Sequence, residues 1–189
     1  MNCRKIIIII TSFISTNLYA ETGYEIVPER SSLSFSTIKN QYIVEAASMT
    51  PSEGTLDQNG FFSITLPIDS IDTGISIRDE RLKSLFFDVT SHSQVHISGK
   101  IDLNLLSNEP ELISLPVNVQ MYGKVNSITF PVVIMKSNEH MLVSSYSQRI
   151  IHASDFGIPS DNLVKLAATV GGIKISDNVP VSFTLTFGK

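Results

Sequence analysis

Apolar and polar residues alternate with a period of two along several short segments of the chain. The C-terminal segment is the clearest, because Val179, Val181, Phe183, Leu185 and Phe187 are each separated by a Pro, Ser or Thr. This period places the apolar side chains on one face of a sheet and the hydroxyl-bearing ones on the other. One apolar and one wet face is typical of antiparallel strands. The pattern therefore predicts an all-β, mainly antiparallel fold.

Further alternating segments occur at residues 33–35, 62–68, 117–121 and 128–134. The sequence Asp-Gln-Asn-Gly at residues 57–60 predicts a turn, because Asn and Gly tolerate positive φ. Pro116 and Pro131 lie within or beside predicted strands. Each lacks a backbone N–H, so we expect those strands to lie at an edge or to carry a bulge.

Two segments have helical spacing instead. Residues 78–87 place Leu82, Leu85 and Phe86 on one side, and residues 161–170 form a second apolar stripe. We expect Asp161 to cap the second helix, and the Gly pair at residues 171–172 to end it. The strands must then close into a barrel or stack as a sandwich, and alternation alone leaves both open. An eight-stranded barrel would have room for one slender ligand.

The first twenty residues have the parts of a secretory signal peptide. Arg4 and Lys5 precede an apolar run at residues 6–10, and Ala20 is a small residue at a suitable cleavage site. We therefore predict a signal peptide over residues 1–20 and a single domain over 21–189, located in the periplasm or secreted. A buried strand or an uncleaved anchor is the alternative. Cleavage would also remove Cys3, the sole cysteine.

Composition narrows the function classes. The chain is 42% hydrophobic, enough for one sizeable core, and its formal net charge is −4 without a basic run. Nucleic-acid binding needs clustered Lys and Arg, so we do not expect it.

No residue pattern indicates an active site. His92 and His96 share a strand face without a third ligand at metal-site spacing, so no metal is expected. Arg78 and Asp79 resemble a catalytic pair, but we favour an acid near the helix start and an arginine that ties the loop to the sheet. The sequence has neither a nucleophile elbow nor a nucleotide-binding loop. We therefore predict a protein that is not an enzyme.

Several motifs together resemble the YceI-like family. Residues 71–89 read IDTGISIRDERLKSLFFDV, and they are similar to the family's signature of an Arg-Asp, a Leu and a Phe-Phe-Asp-Val element. Residues 32–35, 123–132 and 154–158 resemble its first strand, its Gly-containing hairpin and its Asp-Phe-Gly turn. The resemblance covers roughly all of residues 21–189.

This resemblance implies an extended lipocalin-like barrel with one or two short helices at its ends. Members are often periplasmic or secreted, and some hold a polyisoprenoid chain in the tunnel. An isoprenoid or isoprenoid quinone is therefore the expected ligand, with no other cofactor. The chain departs from the family where Val44-Glu45-Ala46-Ala47-Ser48 replaces a Gly-x-Phe and where Tyr24 replaces a Trp. These departures suggest a different tunnel mouth.

The alternating apolar faces give the candidate ligand-binding residues, although ordinary core packing is the alternative for each. The predicted tunnel residues are Leu33, Phe35, Phe62, Ile64, Leu66, Val119, Met121, Phe130, Val132, Val181, Phe183 and Leu185. Arg78, Asp79 and Phe86 are predicted at the tunnel mouth, where Arg78 would meet an anionic head group if the ligand has one.

Two functions are consistent with this sequence. The first is an exported carrier or storage protein for an apolar lipid, with transient membrane contact and a homodimer as further expectations. The second is a filled barrel that acts as an interaction module beside a membrane quinone or cytochrome electron-transfer system. A continuous apolar cavity would favour the first, and a solid interior the second.

Overall fold

The computed structural model describes residues 23–189, so the predicted signal peptide lies outside it. The helices are α1 (Ser76–Arg81), which continues as a π-helical segment (Leu82–Phe86), and α2 (Ser160–Ala168). The strands are β1 (Tyr24–Ile26), β2 (Ser32–Lys39), β3 (Ile43–Met49), β4 (Glu53–Leu56), β5 (Phe61–Pro67), β6 (Gln94–Lys100), β7 (Glu111–Met121), β8 (Lys124–Lys136), β9 (His140–Ser145), β10 (Arg149–His152) and β11 (Asn178–Gly188).

The sheet closes on itself through the long last strand. On one side β11 pairs with β9 and β10, and on the other with β1 and β2. β1 and β2 then pair with β4 and β3, and the ladder continues through β5, β6, β7 and β8 back to β9. The barrel therefore has eight strand positions. Three of them are each formed by two consecutive strands: β1 and β2, β3 and β4, and β9 and β10. All the ladders are antiparallel, which confirms the predicted fold class.

The register brings the apolar alternation of neighbouring strands to the barrel interior. Val181 and Phe183 of β11 face Phe35 and Leu33 of β2, and Leu185 faces Val143 of β9. A two-residue period keeps these positions on one side of the sheet along each strand. The sheet thus encloses one apolar interior.

The two prolines belong to strands that pair with a neighbour on each side, and neither lies on an edge strand or at a bulge. Pro116 pairs with Thr129 of β8, while the ladder to β6 begins only at Val117. Pro131 pairs with Ser114 of β7, and the ladder to β9 begins at Val132. Each proline therefore lies just beyond the end of one ladder, where its missing N–H costs no sheet hydrogen bond.

Both predicted helices are present with shifted starts. α1 begins at Ser76 rather than residue 78, and its second half is the π-helical segment. α2 follows Pro159, and Asp161 lies in its first turn without capping it, so the predicted cap is wrong. The Gly pair does end this helix, because Gly171 and Gly172 have φ of 80° and 76° and the Gly172 N–H donates to Ala167 at 2.9 Å.

The turn at residues 57–60 forms as predicted. One carboxylate oxygen of Asp57 accepts from the N–H groups of Asn59 and Phe61 at 2.8 and 2.9 Å, and Gly60 has a φ of 83°. This arrangement connects β4 to β5 and sets their register.

Within residues 23–189, neither helix combines the length and apolar character that crossing a bilayer requires.

Candidate functional site

The barrel interior contains an apolar cavity of about 160 Å³. Leu, Ile, Val, Phe, Met and Ala side chains make its wall, apart from Thr37 and Ser176. A cavity of about 10–15 Å³ already admits one water, and an apolar one stays dry and accepts apolar guests. The interior is therefore hollow and unlike the filled barrel of the second hypothesis.

Most of the cavity wall belongs to strands. The wall includes every predicted tunnel residue except one. The predicted residues on the cavity wall are Leu33, Phe35, Phe62, Ile64, Leu66, Val119, Met121, Phe130, Val181, Phe183 and Leu185. Their contact with a ligand stays a prediction.

Val132 is the exception, because it does not line the cavity. Its side chain is fully buried, as are those of Ile134 and Met141, and none of the three reaches the cavity. They belong to β8 and β9 and are packed among the other buried core residues. Alternation identifies the inward face of a strand, but it does not tell how far the cavity extends along the barrel axis.

Several wall residues escaped the sequence prediction. Val95 and Ile97 of β6 alternate with polar neighbours, so the same two-residue signal applies to them. Leu163 and Leu166 belong to the apolar stripe of α2, which the sequence indicated without assigning it to the cavity. Phe156 comes from the Asp-Phe-Gly turn, and only the tertiary structure brings it to the wall.

Two helical segments cover one end of the cavity. Phe86 lies on the cavity wall and contacts Phe87 edge to face, with ring centroids 4.8 Å apart. The buried amide of Asn162 on α2 donates to the Phe86 carbonyl at 2.9 Å, which joins α2 to the π-helical segment. Phe86 is thus nearer to the interior than its predicted position at the mouth.

A depression lined by both charged and apolar side chains adjoins this covered end, and we call it the mouth. It shares Thr37, Leu82, Leu166 and Ile175 with the cavity, and its remaining lining residues are Lys39, Glu45, Ile75, Ile77, Arg78, Arg81, Thr169 and Val170. The mouth therefore borders the apolar interior, and Arg78 lines it.

Asp79, by contrast, lies outside the mouth. Its carboxylate accepts from the backbone N–H and the hydroxyl of Thr73 at 2.9 and 2.6 Å. These bonds fix the loop before α1, and Asp79 is not among the residues that line the mouth.

Charged groups at the mouth form one cluster. The Lys39 ammonium contacts the Glu45 carboxylate, and Arg78 donates to the other carboxylate oxygen at 2.9 Å. Lys39 is 8% exposed and is among the few buried polar residues of the described chain. β2, β3 and α1 thus meet through one carboxylate and two cations.

Asp88, His92 and His96 lie outside the mouth and make local contacts. Hydrogen bonds from the side chains of Thr90 and Ser91 lower the pKa of Asp88 below its ordinary value, which is a local feature of an exposed turn. His92 stacks on Tyr122 with ring centroids 3.9 Å apart, and His96 lies 3.3 Å from the Thr65 hydroxyl. Across residues 23–189, His, Cys, Asp and Glu side chains form no group of three suited to a metal.

Solved structures share this architecture. A domain from Saccharophagus degradans, described as polyisoprenoid-binding and implicated in plant cell wall breakdown, superimposes with a TM-score of 0.80 at 22% identity. The match covers 87% of this chain and 97% of that domain. Burkholderia cenocepacia BcnA superimposes with a TM-score of 0.63 at 15% identity, over 85% of this chain and 98% of its own. At these identities the likeness establishes the fold.

The sequence matches no curated relative. A family model, however, spans residues 24–187 under the description YceI-like domain, and this span includes the barrel strands, both helices and the mouth. The match agrees with the ordered motifs of the sequence and with the closed barrel that they build. This chain therefore belongs to the YceI-like family.

Proposed function

We propose that this protein binds a long apolar lipid of isoprenoid type in its barrel and carries or stores it outside the cytoplasm. The observation that carries the proposal is the cavity wall, which is hydrocarbon except at Thr37 and Ser176. Each buried CH₂ group contributes about 0.8 kcal/mol, so such a wall favours a lipid chain without specific polar contacts.

The S. degradans domain supports the isoprenoid assignment, because a protein of the same fold is described as binding a polyisoprenoid. An isoprenoid quinone also fits this chemistry, since its tail is a polyisoprenoid. The shared fold and the apolar wall favour the class of ligand, and ligand extraction would identify the individual lipid.

Binding accounts for the site better than catalysis does. A hydroxyl nucleophile needs a base within hydrogen-bond reach. Within residues 23–189, no hydrogen bond joins Thr37 or Ser176 to a histidine or a carboxylate. We therefore propose a ligand-binding protein and not an enzyme.

Export is part of the proposal and depends on residues 1–20, which lie outside the described structure. N-terminal sequencing of the protein recovered from the periplasm or the medium is expected to begin near Glu21. A chain that begins at Met1 would contradict cleavage.

Transient membrane contact is supported by exposed apolar side chains that line the mouth or lie between two of its residues, Lys39 and Glu45, along the chain. Tyr42 is 84% exposed at the β2–β3 turn with Ile43 and Val44 beside it, and Ile75 and Ile77 are exposed at the start of α1. A bilayer would cover these side chains while lipid passes through the mouth. Homodimer formation stays a prediction.

Vesicle flotation tests this contact. We expect Tyr42→Ser to weaken association with vesicles that contain anionic phospholipid. Tyr146→Ser is the matched control, because Tyr146 is 66% exposed after β9 and does not belong to the β2–β3 turn. Equal flotation of both variants and the unmodified protein would contradict membrane contact through this rim.

Native mass spectrometry of the protein purified from its own host tests lipid binding. We expect a co-bound prenyl lipid that organic extraction releases. Val119→Phe should reduce the bound fraction, because Val119 lines the cavity and a larger ring would occupy it. Val125→Phe makes the same change at a position that is 59% exposed, and it should leave lipid binding unchanged. Repeated absence of lipid from the unmodified protein would contradict the proposal.

A further inference from the structure

The mouth contains more positive than negative charge close to a low-dielectric cavity. Two cations, Lys39 and Arg78, share the single carboxylate of Glu45. Arg81 lines the same depression and makes no ion pair within residues 23–189. Glu45 is the acidic residue among the lining residues of the mouth. The depression therefore carries a net positive charge, whereas the whole chain is acidic at −4.

This charge is partly removed from water. The Lys39 side chain is 10% exposed, and those of Glu45 and Arg78 are 20% and 24% exposed. Removing a cation from water is costly unless an opposite charge compensates it. One carboxylate compensates only one of the two cations, so the cluster keeps a net positive charge that an anion would compensate.

The position of the cluster beside the cavity indicates which molecule would supply that anion. Thr37, Leu82 and Ile175 line both the mouth and the cavity, so the two spaces border each other at these residues. A lipid whose chain lies among the apolar side chains would place its polar end beside Arg78. Guanidinium groups bind phosphate and carboxylate oxygens through paired, charge-assisted hydrogen bonds.

We propose that Lys39, Arg78 and Arg81 bind the anionic head group of an amphipathic lipid whose chain occupies the cavity. The proposal rests on the proposed function and adds the class of head group. A phosphate and a carboxylate share the required chemistry. A neutral alcohol or quinone would use the cavity alone.

Paired ligands with one chain and two head groups test the proposal. Delipidated protein is titrated with geranylgeranyl phosphate and with geranylgeraniol, both by displacement of a fluorescent apolar probe. We expect the phosphate to bind at least about tenfold more tightly at low salt, and this advantage should shrink as ionic strength rises. Palmitate against hexadecanol repeats the comparison with a carboxylate.

Variants then test whether the mouth cations cause the tighter binding of the phosphate. Arg78→Gln should abolish most of the preference for the phosphate and leave geranylgeraniol affinity unchanged, while Arg78→Lys should retain part of the preference. Lys100→Gln is the control, because Lys100 lies over the Phe61 ring near the β4–β5 turn and is not among the mouth residues. Circular dichroism confirms that each variant is folded.

The outcomes separate the two proposals. Equal affinities for the phosphate and the alcohol in the unmodified protein would overturn the head-group site and leave lipid binding intact. An equal loss of both affinities in Arg78→Gln would also overturn it, since the arginine would then act through the fold. Failure of both lipids and of the probe to bind would instead contradict the proposed function.

Discussion

Gly60 is the residue whose backbone has the least room for a side chain. Its φ is 83°, and a Cβ there would lie 1.9 Å from the Ile101 carbonyl oxygen. Gly123 has a similar φ of 79°, but no atom lies within 4 Å of its Cβ position. A side chain at Gly123 would therefore meet only the energetic cost of positive φ, whereas one at Gly60 would also clash with the backbone.

We predict that Gly123→Ala lowers the free energy of unfolding by about 1–2 kcal/mol, the cost of a left-handed conformation. Gly60→Ala should lower it clearly more, since β4 and β5 must also move away from Ile101. Urea denaturation of both variants measures the difference. Equal losses would show that the turn adjusts without a clash.

Gly99 has a different constraint, because it lies against the cavity wall. A Cβ there would lie 2.6 Å from the tip of the Phe62 ring and 3.0 Å from the Pro116 carbonyl oxygen. The ring has space to move into the cavity, whereas the carbonyl is held in the sheet.

We predict that Gly99→Ala costs about 1–3 kcal/mol of stability, as overpacking does. It should also weaken lipid binding, because Phe62 would take up part of the cavity. Thermal unfolding and probe displacement measure the two effects. Ser98→Ala, on the exposed face of the same strand, is the control and should change neither.

Among the elements, α2 and the π-helical segment act as one cover through a single buried hydrogen bond. Asn162 is 5% exposed, and its amide donates to the Phe86 carbonyl. The carbonyls of a π-helical segment are irregularly paired, so a side-chain donor stabilises this local geometry.

Asn162→Ala should lower the free energy of unfolding by about 1–3 kcal/mol, because it removes one partner of a buried hydrogen bond. It should also speed release of a bound probe, since the cover loses its link across the cavity end. Stopped-flow dilution measures the rate. Val164→Ala, on the exposed side of α2, should release the probe at the unmodified rate.

For the whole molecule, the hollow interior predicts stabilisation by its ligand. A ligand at one hundred times its Kd adds about 2.7 kcal/mol to the free energy of unfolding. For a chain of this size we expect Tm to rise by about 5–10 °C when geranylgeraniol is added to delipidated protein. Differential scanning calorimetry measures the shift, and the Val119→Phe protein should show less of it. An unchanged Tm at saturating lipid would contradict binding in the cavity.

The sequence by itself determined the face that each strand turns inward. Leu33, Phe62 and Phe183 lie on the cavity wall because a two-residue period has one geometric outcome in a strand. The turn at Gly60 and the end of α2 could also be predicted from the sequence, since both depend on backbone conformations that few residues adopt.

Only the tertiary structure decided how these faces share one interior. Val132 obeys the same alternation as Phe130, yet it is fully packed among core residues while Phe130 borders empty space. The mouth cluster needs Lys39, Glu45 and Arg78 from three elements, and no local pattern encodes their meeting. The physical reason is that periodicity acts within one element, whereas cavity depth and charge pairing depend on distances between elements that the chain sets only when the barrel closes.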